Sequence, residues 1–508
     1  MAVLQSACSS FVAPFLLKSP RSHRCVRIAT AWLAFFVQSQ APAAAGESLP
    51  IALTLGFETV HLPDAERMGL AGGSLLFDIG GGWHLGPAVV GAASGQRGGL
   101  FVGGVEVQHR WRLAEGWSLA TGLYAGGGGG AAAEVGSGLM LRPAVTLWKD
   151  FGPSMQAGLS WSSVRFPSGR IASSQLGLML GWRSEFIHLT SAEPRAAPAA
   201  STGLGFDRIA ITATRYRLTD GSERRIGLAG ARAEQRRSGV SGLAWGFEAA
   251  AAAQGDAAGY LEVLGSAALS TVPFAQALPS WRIGARLAAG LAGGGAVPTG
   301  GGVIGKATAT TEWSPWPGWT VGGEFGGVRG AGSELRARQA QVWLGIDLEP
   351  GFDGRSASAA PPVRTEWIGV WQHNTRSERR DGTHRTLDTI GLKLNRYVGE
   401  HLYLSGQAHS AFAGGAGAYS IGLVGAGLAT SPGSPWRFGA EALVGAGGGG
   451  GVATSGGAIV QALGWASWAS APASEWRGGI GAVRSLHGGL SSPVVELAWS
   501  RSFGMSGR

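Results

Sequence analysis

The chain has 508 residues, of which 45% are hydrophobic and only 14% are charged, and its formal net charge is +9. Its 88 glycines follow no three-residue period, and 20 tryptophans and 18 phenylalanines are spread along the chain, which excludes collagen and disordered glycine-rich polymers. Both cysteines, Cys8 and Cys25, lie near the N-terminus, so the rest of the chain can hold neither a disulfide framework nor a cysteine metal site.

Residues 1–45 are predicted to be a cleaved targeting segment. They contain four basic residues and no acidic ones, then an apolar run from Ile28 to Val37, then small residues ending at Ala45. This order is typical of a secretory signal, and the apolar run is too short to span a bilayer. We expect secretion through a bacterial inner membrane. A transit peptide into an organelle is the alternative, because the stretch before Arg21 is long.

The remaining chain carries a small positive charge. Without residues 1–45 it has 37 basic and 32 acidic residues, a net charge of +5. Recognition of nucleic acid requires clustered basic patches. No nucleic-acid partner is therefore predicted.

Three stretches of the remaining chain share one layout and are interpreted as internal repeats. Each contains a segment that opens with tryptophan (Trp117, Trp281, Trp436) and runs into a glycine cluster. These tryptophans are 164 and 155 residues apart, a period far longer than that of a solenoid or a propeller blade. The predicted repeats are residues 48–188, 206–348 and 365–503, and two Ala/Pro-rich linkers, 189–205 and 349–364, separate them.

Each repeat reads as about eight alternating segments. From Trp436 to Gly445, for example, apolar side chains alternate with Arg, Gly and Glu. A period of two indicates β-strands. The segments run for about 9–13 residues, whereas strands of soluble proteins cluster near 5–6 and tilted membrane-spanning strands need about 9–11.

Tryptophans recur at the ends of these segments. Membrane barrels place aromatic residues at the two bilayer interfaces, so we predict that these side chains form membrane girdles. The predicted girdle residues are Trp117, Trp148, Trp182, Trp281, Trp313, Trp319, Trp436, Trp468 and Trp476.

Taken together, residues 48–503 resemble Gram-negative outer-membrane β-barrel proteins as a class. The last segment, Val495 to Phe503, looks like the C-terminal strand that the barrel-assembly machinery recognises, although Arg501 replaces the usual aromatic residue and residues 504–508 follow. The resemblance implies an antiparallel transmembrane β-barrel in the bacterial outer membrane, or in the outer membrane of an organelle. It also implies outer-membrane lipids and the assembly machinery as partners.

Two ways of closing the predicted 24 strands remain open. The predicted inward faces are dominated by small residues, which would leave an eight-stranded barrel under-filled and therefore favour one barrel of about 24 strands. The two linkers instead suit three tandem eight-stranded barrels. A single wide barrel would need a periplasmic partner to close its pore.

Catalytic and cofactor motifs are weak. Gly300–Thr308 approaches a phosphate-binding loop, but Ala307 follows Lys306 where a hydroxyl is required, and the stretch reads as a hairpin. The ten histidines show no metal-ligand spacing. His487 lies in a hairpin that vaguely resembles the outer-membrane lipid A deacylases, but the serine expected beside it is replaced by glycine. We predict no enzyme activity, cofactor or metal.

The favoured function is passive passage of a hydrophilic solute or an exported polymer through the barrel. Alternatives are a non-conducting structural or interaction barrel and, less favoured, a lipid-acting hydrolase. Alternation places ionisable residues of both signs inside, either as a polar channel lining or as salt bridges that brace the wall. These predicted lumen residues are Glu106, Arg142, Glu248, Arg282, Arg286, Lys306, Glu324, Arg437 and Glu441.

Overall fold

The computed structural model describes residues 47–189, 202–219, 224–236, 242–274, 276–348, 362–431, 434–471 and 473–505. The predicted targeting segment and most of both predicted linkers therefore lie outside the described residues. Apart from one short 3-10 turn, Pro63–Ala65, the regular elements are 24 β-strands. The described residues include no helix with the length and hydropathy needed to cross a bilayer.

The strands fall into three groups of eight, which we call barrels 1, 2 and 3. Barrel 1 consists of β1 (Glu47–His61), β2 (Arg67–Gly80), β3 (Trp83–Ser94), β4 (Phe101–Ala114), β5 (Trp117–Gly129), β6 (Leu139–Phe151), β7 (Met155–Arg165) and β8 (Ala172–His188). Barrel 2 consists of β9 (Arg208–Leu218), β10 (Arg225–Arg236), β11 (Leu243–Gln254), β12 (Leu261–Thr271), β13 (Trp281–Gly293), β14 (Val303–Trp316), β15 (Trp319–Gly330) and β16 (Arg336–Asp347). Barrel 3 consists of β17 (Val363–Glu378), β18 (His384–Tyr397), β19 (Leu402–Ala413), β20 (Ser420–Ala429), β21 (Trp436–Gly448), β22 (Ala458–Ala471), β23 (Ser474–Ser485) and β24 (Ser491–Met505).

Each group closes on itself. All neighbouring strands are antiparallel, and the first strand of each group pairs with the last: β1 with β8, β9 with β16, and β17 with β24. The prediction of an all-β antiparallel fold with 24 strands in three repeats is confirmed. Of the two predicted closures, the structure has three eight-stranded barrels. The single 24-stranded barrel is wrong, because no first or last strand is left to pair with another repeat.

The under-filling that favoured a wide barrel does not occur. Small inward residues alternate with large ones, so each lumen also receives long side chains. Tyr124 and Trp148 fill barrel 1, Tyr216 and Arg286 fill barrel 2, and Arg477 is among those that fill barrel 3. Small barrels pack their interiors by this alternation of small and large residues.

The two ends of each barrel differ. One end, which we call the terminal end, carries the start of the first strand and the finish of the eighth. The opposite end, the loop end, carries the four connections that follow odd-numbered strands. The second of these loops has six residues in every barrel and the third has nine. The six-residue loops are 95–100, 255–260 and 414–419, and the nine-residue loops are 130–138, 294–302 and 449–457.

The nine-residue loops share one backbone conformation. In each, the residue at loop position 4 donates its N–H to the carbonyl of position 1, at 3.0 Å in all three barrels. Positions 1 to 3 all have positive φ, for example 95°, 58° and 73° at Gly449, Gly450 and Gly451. Residues other than glycine rarely adopt positive φ. This preference explains the glycine clusters that mark the repeats in the sequence.

The three barrels pack side by side as a ring. The third strand of each barrel lies against the fifth and sixth strands of the next: β3 against β13 and β14, β11 against β21 and β22, and β19 against β5 and β6. At the loop end, the six-residue loop of one barrel meets the nine-residue loop of the next. We call these three contact zones the seams. Because every seam joins the same two unlike surfaces, the chain has the arrangement of a closed cyclic trimer.

Backbone meets backbone in the seams. Gly98 N–H donates to the Gly300 carbonyl at 2.7 Å, and Gly417 N–H donates to the Gly136 carbonyl at 3.3 Å. A Cβ added to Gly98 would lie 2.6 Å from the Gly302 nitrogen. Contact this close admits only the smallest residues, as it does at helix interfaces inside membranes.

Candidate functional site

The lumen of barrel 2 holds a network of buried ion pairs. Lys306 Nζ lies 2.8 Å from Glu248 Oε1 and 2.6 Å from Glu262 Oε1. Arg286 bridges Glu248 and Glu324 at 2.9 and 3.4 Å. The hydroxyls of two buried tyrosines, Tyr216 and Tyr260, both donate to Glu262 Oε2, at 2.9 and 3.0 Å. Each charge therefore has an opposite charge beside it, as burial requires.

A second layer lies towards the terminal end of barrel 2. Arg208 contacts Asp347 at 3.1 Å and Glu312 at 3.3 Å, and Arg236 contacts Asp207 at 2.8 Å and Asp347 at 3.0 Å. Between the two layers, the Arg232 guanidinium lies over the ring of Trp343, 4.0 Å from the centroid. The ion pairs and the aromatic ring together occupy the lumen along much of its length.

Barrel 3 has a similar network of buried ion pairs, but its lysine lies on a different strand of the barrel. Lys393 Nζ, on the second strand, lies 2.6 Å from Glu441 Oε1 and 3.0 Å from Glu496 Oε2. Tyr403 donates its hydroxyl to Glu441 Oε2 at 3.1 Å and accepts a hydrogen bond from Trp465 Nε1 at 3.0 Å.

Nearer the terminal end of barrel 3, two carboxylates are shared among three arginines. Arg437 contacts Glu366 at 3.1 Å and Glu475 at 3.0 Å. Arg477 contacts Glu366 at 3.1 Å, and Arg364 contacts both carboxylates. The Arg437 and Glu475 side chains also line an open depression of about 450 Å³ at the mouth of the barrel.

Barrel 1 has the sparsest lumen. Its central ion pair joins Arg142 to Glu58 through two hydrogen bonds of 2.8 and 3.1 Å, and Ser162 donates to the same carboxylate at 2.5 Å. Ser74 hydrogen-bonds Glu106. These residues line a cavity of about 30 Å³. That is room for a water molecule or two, whereas pockets for small-molecule ligands measure about 300–1,000 Å³.

The structure places the predicted lumen residues on inward faces. Glu248, Arg286, Lys306, Glu324, Arg437 and Glu441 are buried and paired, and Arg142 is paired with Glu58. Glu106 is half-buried, and Arg282 is half-buried at the terminal end of β13. Their partners Glu58, Glu262, Lys393 and Glu496 were missed, although the same alternation places these four inward as well.

Most of the predicted girdle tryptophans face outward at the terminal end. Trp117, Trp313, Trp319, Trp436, Trp468 and Trp476 are exposed, and Trp182 and Trp281 are half-buried. In barrel 3 the strand register aligns three of them, Trp436, Trp468 and Trp476, in one row with Trp499 on four consecutive strands.

The prediction that Trp148 belongs to a membrane girdle is wrong. It is only 1% exposed and lies inside barrel 1, where the Arg110 guanidinium sits 5.3 Å from its ring centroid. The reason is strand alternation: on β6, Trp148 shares the inward face with Arg142, while Leu147 points outward. Its position near a strand end suggested a girdle, but it lies on the inward face of the strand and therefore packs in the lumen.

The remaining weak motifs have structural places. Gly300–Thr308 ends the nine-residue loop and enters β14, where Lys306 binds lumen carboxylates, so the hairpin interpretation is correct. His487 lies in the loop between β23 and β24 and makes no hydrogen bond to a serine within the described residues. No group of His, Cys, Asp and Glu in the described part of the chain could hold a metal ion.

Comparison with known proteins gives only distant structural likeness. No protein-family model and no curated protein matches this sequence. Among solved structures, the siderophore receptor PirA from Pseudomonas aeruginosa matches with 10% identity and a TM-score of 0.26, over 92% of this chain and 81% of that one.

Two further matches come from the same organism. A mutant ferric enterobactin receptor of P. aeruginosa has 10% identity and a TM-score of 0.28, over 90% of this chain and 81% of its own. The P. aeruginosa outer membrane protein OpdK has 10% identity and a TM-score of 0.23, over 90% and 99%. OpdK is named as an outer membrane protein, and the other two are named as receptors. Superposition this poor carries no argument about the closure, location or activity of this chain.

Proposed function

We propose that this chain is a bacterial outer-membrane protein whose three sealed barrels form one membrane-embedded ring, with a structural or interaction role rather than a conducting one. One observation carries the proposal: the lumens are occupied by buried side chains, most of whose charges are paired with an opposite charge in the same lumen. The loops of the loop end and the outer wall are then the surfaces available to partners.

The outer wall supports the membrane location. On β15 the exposed Trp319 lies at the terminal end and the exposed Arg329 near the loop end, with Val321 and Phe325 between them on the same face. Ten residues at about 3.3 Å each, tilted by about 40°, span about 25 Å across the bilayer. This is the height of the apolar band on outer-membrane barrels, about 25 Å.

The orientation in the membrane follows from the two ends. Outer-membrane barrels have short periplasmic turns and longer extracellular loops. The loop end has loops of five to nine residues, whereas several terminal-end turns have only two, for example 81–82, 115–116 and 317–318. We therefore assign the loop end to the cell exterior and the terminal end to the periplasm.

The lumen networks argue against passage of solutes. A solute crossing barrel 3 would have to separate Lys393 from Glu441 and Glu496, and breaking a buried pair of this kind costs about 3–5 kcal/mol. The cavity beside the central ion pair of barrel 1 is only about 30 Å³.

Passive conduction of a hydrophilic solute is the second candidate, and one observation favours it. Barrel 1 has a sparser lumen than its neighbours. It has one central ion pair, and the cavity beside that pair has room for a water molecule or two. An exported polymer would need the wide lumen that the three closures remove.

Planar-bilayer recording on residues 46–508 separates the two candidates. We expect no stable current from folded protein, shown to be folded by its resistance to unfolding in detergent. A reproducible single-channel conductance would contradict the sealed-barrel proposal. If E58Q altered that current while E441Q left it unchanged, the path would be assigned to barrel 1.

We also propose that the partners are outer-membrane lipids and the barrel-assembly machinery, and that the chain is not an enzyme. β24 ends in the alternating segment Val495 to Phe503 and closes barrel 3. Replacing Phe503 with alanine should reduce the yield of assembled protein in cells, with Phe438→Ala, an outward residue of an internal strand, as control. Any lipid hydrolysis that H487A abolishes would overturn the non-enzymatic role.

A further inference from the structure

Six arginines crowd one side of barrel 2 near its loop end, and we call this set the arginine strip. All six are exposed and lie on the outward faces of four consecutive strands, β15, β16, β9 and β10. The strip consists of Arg215, Arg217, Arg225, Arg329, Arg336 and Arg338.

The strand register brings these like charges together. Arg329 pairs directly with Arg336, Arg338 pairs with Arg217, and Arg217 pairs with Arg225. Side chains at directly opposed positions have Cβ atoms about 4.5–5.5 Å apart, and like charges there are destabilising. The direct pair of Arg329 and Arg336 therefore carries an electrostatic cost that no described ion pair offsets.

Four of the six arginines have no described carboxylate partner. Arg215, Arg329, Arg336 and Arg338 form no ion pair with any described residue. Arg217 and Arg225 flank residues 220–223, which lie outside the description, so we rest the inference on the other four. This contrasts with buried lumen arginines such as Arg286 and Arg437, which are matched by carboxylates.

The sister barrels show that the architecture does not require these arginines. Arg336 pairs with Arg329 of the seventh strand, and the equivalent pairing of Ala172 with Arg165 places Ala172 and Ser174 of barrel 1 at the positions of Arg336 and Arg338. The pairing of Ser491 with Arg484 places Ser491 and Pro493 of barrel 3 there. Only the arginine at or next to the last residue of the seventh strand recurs in all three barrels, as Arg165, Arg329 and Arg484.

The height of the strip indicates what it meets. Four residues further along the same outward faces, towards the terminal end, lie the exposed Ile211, Phe325 and Val342. The strip thus lies about 13 Å along the strands beyond these apolar residues, at the level where lipid headgroups lie. The seams use β10, β11, β13 and β14 of barrel 2, so only Arg225, on β10, lies on a seam strand, and the other five arginines lie on β9, β15 and β16.

From this placement, and resting on the proposed membrane location, we propose that the arginine strip binds the phosphate groups of anionic lipids in the leaflet at the loop end. Guanidinium forks pair with phosphate through two parallel hydrogen bonds, and adjacent arginines suit a headgroup with more than one phosphate. The acyl chains of the same lipid would lie on the apolar band below.

The test measures binding of labelled diphosphoryl lipid A, and separately of phosphatidylglycerol, to the mature chain in phosphatidylcholine nanodiscs. The variant R336A/R338S installs the residues of barrel 1, and the control R165A/R484A removes two loop-end arginines elsewhere. Because each arginine near an anionic surface contributes measurably to binding, we expect about a 30-fold loss of lipid A affinity for R336A/R338S and less than about threefold for the control. R336K/R338K, which retains charge without the fork, should fall between.

Several outcomes would overturn the inference. Equal affinity in R336A/R338S and the parent would do so, as would equal losses in that variant and the control, which would indicate general electrostatics. Competition by millimolar inorganic phosphate without any lipid preference would assign the strip to free phosphate instead of a lipid. Failure of the parent protein to insert into nanodiscs would contradict the proposed membrane location, a result distinct from insertion without lipid preference.

Discussion

The seams and the lumens follow opposite rules. In the seams the three barrels use the same strand positions and the same loop lengths, and their nine-residue loops share one internal hydrogen bond. In the lumens they use different ones: a lysine between two glutamates stands on the sixth strand of barrel 2, as Lys306, and on the second strand of barrel 3, as Lys393. Close contact between backbones restricts the residue type at each position of a seam. A lumen requires only that its volume be filled and its charges be balanced.

The largest effect should come from unbalancing a lumen. K393M leaves Glu441 and Glu496 as uncompensated buried charges, so we expect the free energy of unfolding of barrel 3 to fall by about 3–5 kcal/mol. Urea unfolding in lipid vesicles, followed by tryptophan fluorescence, would measure it. The triple variant K393M/E441Q/E496Q removes the imbalance and should recover most of the loss. If K393M were as stable as the parent, charge balance would not govern the lumen.

A similar loss should distinguish inward from outward tryptophans. Trp148 fills the lumen of barrel 1, so W148A should cost about 3 kcal/mol through the cavity it leaves. Trp468 is 48% exposed at the terminal end, and W468A should cost clearly less in the same unfolding assay. Equal losses would mean that Trp148 does not pack inside the barrel.

A smaller loss should follow from widening a seam. The Cβ introduced by G98A would press on the backbone of Gly300 and Gly302, so we expect a cost of about 1–3 kcal/mol from overpacking. G369A is the control, because a Cβ at Gly369 meets nothing within 4 Å. A seam that accepts alanine at Gly98 without loss would show that close backbone contact is not required there.

The smallest effect on stability is expected from a disulfide across a seam, which tests whether the barrels pack as a ring. The Cβ of a cysteine at position 103 would lie 4.0 Å from the side-chain oxygen of Ser410, across the seam between barrels 1 and 3. Because both natural cysteines lie in residues 1–45, G103C/S410C in the mature chain should form a single internal disulfide with little change in stability. Its absence under oxidising conditions, with both thiols reactive, would contradict the ring. G369C/S410C is the matched negative control.

Strand identity could be predicted from the sequence, but closure could not. Alternation from Trp436 to Gly445 gives the strand and its two faces, since the side-chain period is set by the backbone. Which strand closes on which depends on hydrogen bonds between residues far apart, such as Glu47 with His188, and alternation carries no signal of these pairs.

The site shows the same division. Alternation placed Lys306 inside, yet it could not show that Glu248 and Glu262 would surround it, because those residues come from two other strands. Trp148 was open to correction from the sequence alone. It lies six residues after Arg142, an even number, so both must share one face of the strand.

The arginine strip has a meaning beyond charge because the ring is one chain. A ring of three identical chains would repeat any outward feature three times, at 120° intervals. Here the strip occurs on one barrel, and the other two carry Ala172 and Ser174 or Ser491 and Pro493 in its place. Because the three units are fused in one chain, one side of the ring differs from the other two within the plane of the membrane. A neighbour attracted to the strip would always lie on the same side.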